Sequence, residues 1–250
     1  MKKLYALFLL AISQPLQAIE PWTAGTAFTL SQGQSEIGVF SAYRHGLDSD
    51  TEISTIAYAN IIYPNISLKQ KWTGLSGWQF SSEHALSYPT MFLDATASDG
   101  IGGLLPPTTS TPELLTVNNR FYFSKHLSKD MILTPSVSIE LTAGANEGLM
   151  PTIDFPMLYQ RTASYHTGVA FNTGIDLDGV FADSWGYSAD LEYFYLPGLD
   201  ANSAWESKAL LFYQWGLNRR VLFGYKFIDA KYPYGENSHA FPMLDVIWSW

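Results

Sequence analysis

The 250-residue chain contains no cysteine, which excludes disulfide frameworks and thiolate metal sites. Charge is scarce: Asp, Glu, Lys and Arg make up 15% of residues, against about a quarter in an average soluble domain. Long hydrophobic runs are missing as well. Beyond the N-terminal leader no apolar stretch approaches the roughly 20 residues needed for a transmembrane helix. Yet 47% of the chain is hydrophobic and 15% aromatic. These facts fit together if apolar residues occupy alternate positions along many strands. A secreted β-sandwich is the competing architecture that the composition also allows. The formal net charge is −9, or −11 once Lys2 and Lys3 leave with the leader, so nucleic acid is not expected as a partner.

Enzymatic signatures are missing too. There is no Gly-x-Ser-x-Gly elbow, no His-Glu-x-x-His and no phosphate loop, so neither enzymatic activity nor a cofactor is expected. Acidic positions cluster at Asp48, Asp50 and Glu52, at Asp94 and Asp99, and at Asp176, Asp178 and Asp183. None has a calcium-loop spacing, so they read as solvated turns and no metal is expected.

What is there begins with a leader. Met1-Lys2-Lys3 is a basic n-region, Leu4 to Ile12 an apolar h-region, and Leu16-Gln17-Ala18 a small-residue cleavage site. Residues 1–18 are therefore expected to be a signal peptide, with a mature chain of residues 19–250 starting at Ile19. With no cysteine to take a lipid, that chain is not expected to be a lipoprotein.

The opposite end carries the clearest pattern. Leu244, Val246, Trp248 and Trp250 share one parity; Met243, Asp245 and Ser249 share the other, with Ile247 the exception. Period two with one apolar face describes a strand between two different media. This ending resembles that of bacterial outer-membrane β-barrels, whose last strand finishes on an aromatic residue recognised by the assembly machinery. The resemblance implies a multi-pass protein of the Gram-negative outer membrane. It also implies outer-membrane lipid and the barrel assembly machinery as partners, with Trp248 and Trp250 as the assembly signal.

Reading on that basis, strands are expected near 26–30, 37–43, 51–62, 66–74, 77–88, 113–125, 131–143, 157–177, 185–196, 205–216, 220–229 and 240–250. The opening, Thr26 to Gly46, resembles the start of little-studied outer-membrane barrels such as a phenol-degradation-pathway group. Residues 131–143 alternate most regularly, with Leu133, Val137, Ile139 and Leu141 opposite Thr134, Ser136, Ser138, Glu140 and Thr142. The run Tyr165, Thr167, Val169, Phe171, Thr173, Ile175, Leu177 is read as one long strand. The fold expected is thus an all-β, antiparallel up-and-down transmembrane barrel of twelve strands, with ten or fourteen as alternatives. Twelve satisfies a parity test, because bacterial barrels have even strand counts, short periplasmic turns and longer outer loops. Counting back from a periplasmic C-terminus puts 230–239, 197–204, 144–156 and 89–112 outside. It puts 218–219, 178–184, 126–130 and 46–50 inside. Two short turns, near 32 and 64, also fall outside.

The inward parity collects ionisable groups of both signs: Lys69, Lys71, Arg120, Lys208 and Lys226 against Glu36, Glu83, Glu140, Asp190, Glu192 and Asp245. They are candidates to line a hydrated lumen that passes a small polar or hydrophobic solute. They suit equally an interior cross-linked by ion pairs and closed to traffic. Trp72, Trp78, Tyr88, Tyr187, Tyr193, Tyr195, Trp205, Tyr213, Trp215 and Tyr225 are read as interfacial belts. One pair stands out of pattern, since Ser82 and His84 fall on the apolar parity of 77–88. Outer-membrane phospholipase A carries such a pair in reverse order, His-x-Ser, and here no third residue can be named from sequence. The function expected is a passive channel or small-solute transporter. The alternatives are a non-conducting barrel that binds through its outer loops and, third, a lipid-active hydrolase.

Overall fold

A computed structural model of the chain describes residues 23–99, 103, 105–148, 154–155, 160–161, 163–201, 203–216, 218–232 and 235–250. The leader expected at residues 1–18 lies outside them. The strands are β1 (Ser35–Gly38), β2 (Tyr43–Gly46), β3 (Thr51–Thr55), β4 (Asn65–Leu75), β5 (Trp78–Ser87), β6 (Leu115–Ser128) and β7 (Met131–Ala143), then β8 (Asp154–Phe155) and β9 (Gln160–Arg161). They continue with β10 (Val169–Ala182), β11 (Trp185–Tyr195), β12 (Ser203–Gln214), β13 (Arg219–Tyr232) and β14 (Gly235–Ser249). Two short helices, α1 (Thr90–Thr96) and α2 (Ala163–Thr167), lie in the long connections. Strands β8 and β9 pair only with each other; the other twelve close into one antiparallel barrel. The closing seam joins β1 to β14, with Ile37 opposite Trp248.

Side-chain burial runs opposite to that of a water-soluble core. Thr134, Ser136, Ser138 and Thr142 of β7 are buried, while Val137 and Leu141 of the same strand are exposed. Phe171, Leu211, Phe223, Leu244 and Trp250 likewise stand on the exposed outer surface. A closed sheet with polar groups inside and aliphatic and aromatic groups outside satisfies its backbone within the wall and offers its exterior to lipid. The protein is therefore a transmembrane β-barrel, multi-pass, of the outer-membrane type. Aromatic groups gather toward both rims: Trp185 packs on Tyr213 and Phe223 near one, and Tyr193 on Trp205 near the other.

The longest connections lie at the end the parity count requires, with two short ones, 39–42 and the β13–β14 hairpin, beside them. At the end that holds the C-terminus are 47–50, 76–77, 129–130, 183–184 and 215–218. At the opposite end are 39–42, 56–64, 88–114, 144–168 and 196–202, with the β13–β14 hairpin. The tight turn at 76–77 has positive φ at both residues, Ser76 (55°) and Gly77 (79°), the conformation that fits the twist of a two-residue hairpin.

The count of twelve is right, but several strands differ from expectation. Residues 26–30 form no strand; their backbone bonds to side chains inside the barrel instead. The strand expected at 37–43 is divided into β1 and β2 by a turn at 39–42, which Asp245 holds by accepting from the Phe40 N–H (3.1 Å) and the Ser41 hydroxyl (2.5 Å). That dissolved strand and that divided one offset each other, and the turn near 32 consequently lies at the C-terminal rim. Strand β3 stops at Thr55 because Asn65 turns the chain back, its carboxamide oxygen accepting from the Ile56 N–H at 2.7 Å. The strand expected over 157–177 begins only at Val169: residues 163–167 are α2, and Gly168 follows at φ 86°. That conformation is open to glycine and costly for a side chain. The outer loop expected at 230–239 is instead a paired hairpin, with Lys231 opposite Glu236.

One stretch of wall is incomplete. Strand β14 is 15 residues long and pairs throughout with β13, but β1 meets only its last turn, at 247–249. Val246 and Trp250 direct their carbonyls toward β1, so the alternating Leu244, Pro242 and Ala240 point the same way, where β1 has already ended. Proline suits that free edge, since it has no N–H to leave unpaired.

Candidate functional site

A twelve-strand barrel with ordinary strand spacing and tilt has a backbone radius of roughly 12 Å. Side chains reaching inward from opposite walls then leave a bore about as wide as one extended chain. The interior of this barrel holds charged rows and one such chain.

The rows come from inward positions of neighbouring strands. On β2 and β3 the Arg44 guanidinium clasps Glu52 through Nε and Nη2, both at 2.8 Å, and reaches Glu36 of β1 at 3.1 Å. Farther round, Arg120 of β6 pairs with Glu192 of β11 (2.8 Å) and donates to Asn172 of β10 (3.0 Å). Tyr122 and Ser67 donate to Glu83 at 2.7 and 3.0 Å. Lys208 meets Asp190 at 2.5 Å, and Lys226 meets Glu206 at 2.8 Å. Arg120 and Glu192 stand on strands separated by β10 and β7, so their bond spans the inner surface across a quarter of the barrel's circumference.

The chain inside is the segment before β1. Thr26 and Ala27 are completely buried. The Ala27 N–H donates to Ser124 Oγ (2.7 Å), and the Leu30 N–H donates to Glu52 Oε2 (2.9 Å). Lys69 donates to the carbonyls of Phe28 (2.7 Å) and Thr23 (3.3 Å), and Arg44 to Thr23 Oγ1 (3.1 Å). The Phe28 ring lies 5.2 Å from His126. Ser124, Glu52, Arg44 and His126 lie toward the C-terminal rim and Lys69 at mid-strand, so residues 23–34 fill the lumen from that rim to about its middle. Buried backbone needs partners, and here wall side chains supply what a strand ladder normally would. Gly46 makes the closest approach: a Cβ there would stand 2.2 Å from the Ser31 carbonyl.

The other half is covered from above. Ser164 of α2 donates to Glu140, which also accepts from Asn118. Tyr165 is buried with Leu93 of α1, Leu105 and Leu114, so the two longest connections share one apolar cluster over the outer mouth. The wall of β11–β14 is different again, with apolar side chains turned inward. Ala204, Ile228 and Ala230 pack with Phe194 and Phe241, while Leu210, Phe212, Leu222 and Ile247 pack with Val180 and Met243. Ile247, the exception to the terminal alternation, thus belongs to an interior apolar patch.

Of the residues singled out by parity, Glu36, Lys69, Glu83, Arg120, Glu140, Asp190, Glu192, Lys208, Lys226 and Asp245 all face the interior, and they divide into separate groups. Glu36 and Lys69 serve the N-terminal segment and its anchors; Asp245 holds the 39–42 turn. Lys71 stands at the rim, 2.6 Å from Asp50, and its hydrogen bond holds the Asp50 carboxyl below the usual carboxylate range. Trp248 and Trp250 face outward at the closing seam. Sequence reading missed Arg44, Glu52, Glu206, Asn172 and Asp178. Glu52, Asp176 and Asp178, expected in solvated turns, lie on β3 and β10 and point inward. A strand boundary a few residues off turns an interior carboxylate into a loop residue.

No family model and no curated protein sequence matches the chain. Among solved structures it is similar to the KdgM porin in complex with disordered oligogalacturonate. The identity is 9%, over 87% of this chain and 96% of that one, with a TM-score of 0.47. It is similar also to an outer membrane channel from Pseudomonas putida F1, at 9% identity over 92% of this chain and all of that one, TM-score 0.47. OmpT of Vibrio cholerae follows at 13% identity over 84% and 64%, TM-score 0.45. Likeness at this level carries nothing about a solute; the class, a transmembrane β-barrel, rests on the closed wall and its apolar exterior.

Proposed function

We propose that the protein is a passive channel for small solutes, closed along its axis by residues 23–34. The observation that supports this reading is how those residues are held. They are not a strand of the wall. Side-chain hydrogen bonds with Ser124, Glu52, Lys69 and Arg44 hold residues 23–30, each worth only about 0.5–3 kcal/mol net, and two backbone bonds join Gly33 and Gln34 to Gly46 of β2. Removing the segment breaks none of the barrel's strand pairings, costs Gly46 two backbone bonds, and uncovers from the C-terminal side a lumen of mixed charge facing an apolar inner wall. Such a lumen suits small solutes with a polar and an apolar side, and mixed signs disfavour strong ion selectivity.

A second route accompanies the first. The free edge of β14 borders a gap at which Val39, Phe40, Tyr58, Ile61 and Ile62 are exposed, and Phe241 lines the lumen beside it. An apolar solute entering from above would find a sideways exit there into lipid. Swelling of vesicles containing the wild type or a variant lacking residues 23–34 tests both routes. Polar solutes such as sugars should enter several-fold faster with the deletion, and single-channel steps should enlarge. Apolar solutes should enter at similar rates with either form. Silence of both folded forms toward every solute would leave the non-conducting, loop-binding barrel as the better reading.

A further inference from the structure

The lipid face of β4–β6 is apolar at Leu68, Leu86, Val117 and Phe121, yet Gln70, Ser82, His84 and Asn119 interrupt it with polar groups. Ser82 and His84 are outward residues of β5, and the strand register sets His84 opposite Asn119 of β6. His84 Nδ1 lies 2.7 Å from the Asn119 carboxamide oxygen, and His84 Nε2 lies 3.2 Å from Ser82 Oγ. The amide oxygen can only accept, so Nδ1 carries the ring proton. Nε2 then presents a lone pair to the Ser82 hydroxyl. That is the tautomer and chain of contacts by which a serine is made nucleophilic: base against hydroxyl, orienting group behind the base. The bare pair in the sequence lacked the third member, and the neighbouring strand supplies it.

From this geometry we propose that Ser82, His84 and Asn119 form a serine-hydrolase site on the bilayer side of the wall, acting on long-chain acyl esters of membrane lipids. The site is separate from the lumen and independent of conduction. Ser82 Oγ attacks the ester carbonyl carbon as its proton passes to His84 Nε2. The tetrahedral intermediate collapses, the acyl–oxygen bond to the alcohol breaks, and His84 returns the proton to the leaving alkoxide. Water, deprotonated by His84, then attacks the acyl-Ser82 carbonyl. Free fatty acid leaves and the proton returns to Ser82. Asn119 is a positioning residue, fixing ring orientation and tautomer. One donor beside Ser82 can serve the oxyanion, the Trp72 indole N–H, which now donates to Ser82 Oγ at 3.0 Å; the Gln70 carboxamide, opposite Ser82 in the register, is engaged by the Thr51 hydroxyl and the Lys71 carbonyl. The Trp72 ring also covers the hydroxyl. Ser82 is 1% exposed and Trp72 56%, so a lipid chain must displace the ring before the carbonyl reaches Oγ.

The test uses the purified full chain in mixed micelles of detergent and phosphatidylcholine, with an alkyl fluorophosphonate as the covalent probe. Wild type should release fatty acid and carry the phosphonate on Ser82 by peptide mass spectrometry. Ser82→Ala should abolish both, and His84→Leu should lower release at least a hundredfold. Asn119→Ala should reduce kcat more than KM, with Asn119→Asp restoring much of the loss. Trp72→Ala should speed labelling several-fold. Heat-modifiable gel migration establishes that each variant is folded. Absence of release and label from both folded wild type and folded Trp72→Ala would overturn the proposal. So would release that survives Ser82→Ala.

Discussion

The buried pair Lys226–Glu206 offers a direct measure of how dry the interior is. The ammonium and carboxylate are 2.8 Å apart, and their side chains are only 3% and 4% exposed. Ala204, Ile228 and Phe241 lie close by on the same inner wall. Lys226→Met would take the cation from the Glu206 carboxylate while keeping most of the apolar stem. For a desolvated pair, removing one partner costs about 3–5 kcal/mol. A pair that channel water reaches is worth only about 0–1 kcal/mol. Replacing both, with Lys226→Met and Glu206→Leu together, should recover most of the loss, because neither charge is then left buried. Urea unfolding of protein folded into vesicles, followed by tryptophan fluorescence, reads these differences. With a slope of about 2 kcal/mol per M, the single variant should shift the midpoint by roughly 1.5–2.5 M. A single-variant cost under about 1 kcal/mol would refute the reasoning and show that water reaches this wall.

Two further outcomes follow from the closing seam and the N-terminal segment. Gly46→Ala places a methyl group against the Ser31 carbonyl, 2.2 Å from the ideal Cβ, and neither backbone can easily give. It should unseat residues 31–34 and destabilise the barrel by about 1–3 kcal/mol, and unchanged urea midpoints would contradict the packing described. Trp250→Ala should lower the amount of heat-modifiable protein recovered in outer-membrane fractions, since it removes the exposed ring that ends the last strand at the seam, 6.4 Å from the Tyr43 ring. Undiminished recovery would remove the terminal aromatic from any part in assembly.

Side-chain alternation alone determined the class of this protein and much of its wall. Over 131–143 each residue faces the side its parity assigns, because a strand has period two and its two media differ. The same holds at Leu244, Val246, Trp248 and Trp250. Connection length fixed which end of the barrel carries the long loops, for a periplasmic hairpin needs two residues and an outer loop is free to grow. The interior was decided by tertiary structure. Thr26–Leu30 alternates like a strand, but its N–H and C=O groups find Ser124, Glu52 and Lys69 rather than a ladder, and no local pattern distinguishes those partners. Tyr165 and Thr167 continue the parity of β10, yet α2 and Gly168 swing Tyr165 under the outer loops to meet Leu93. Ser82 and His84 were visible as a break in pattern. Asn119 stands 35 residues from His84 along the chain, and only the register of β5 against β6 brings its carboxamide to the imidazole.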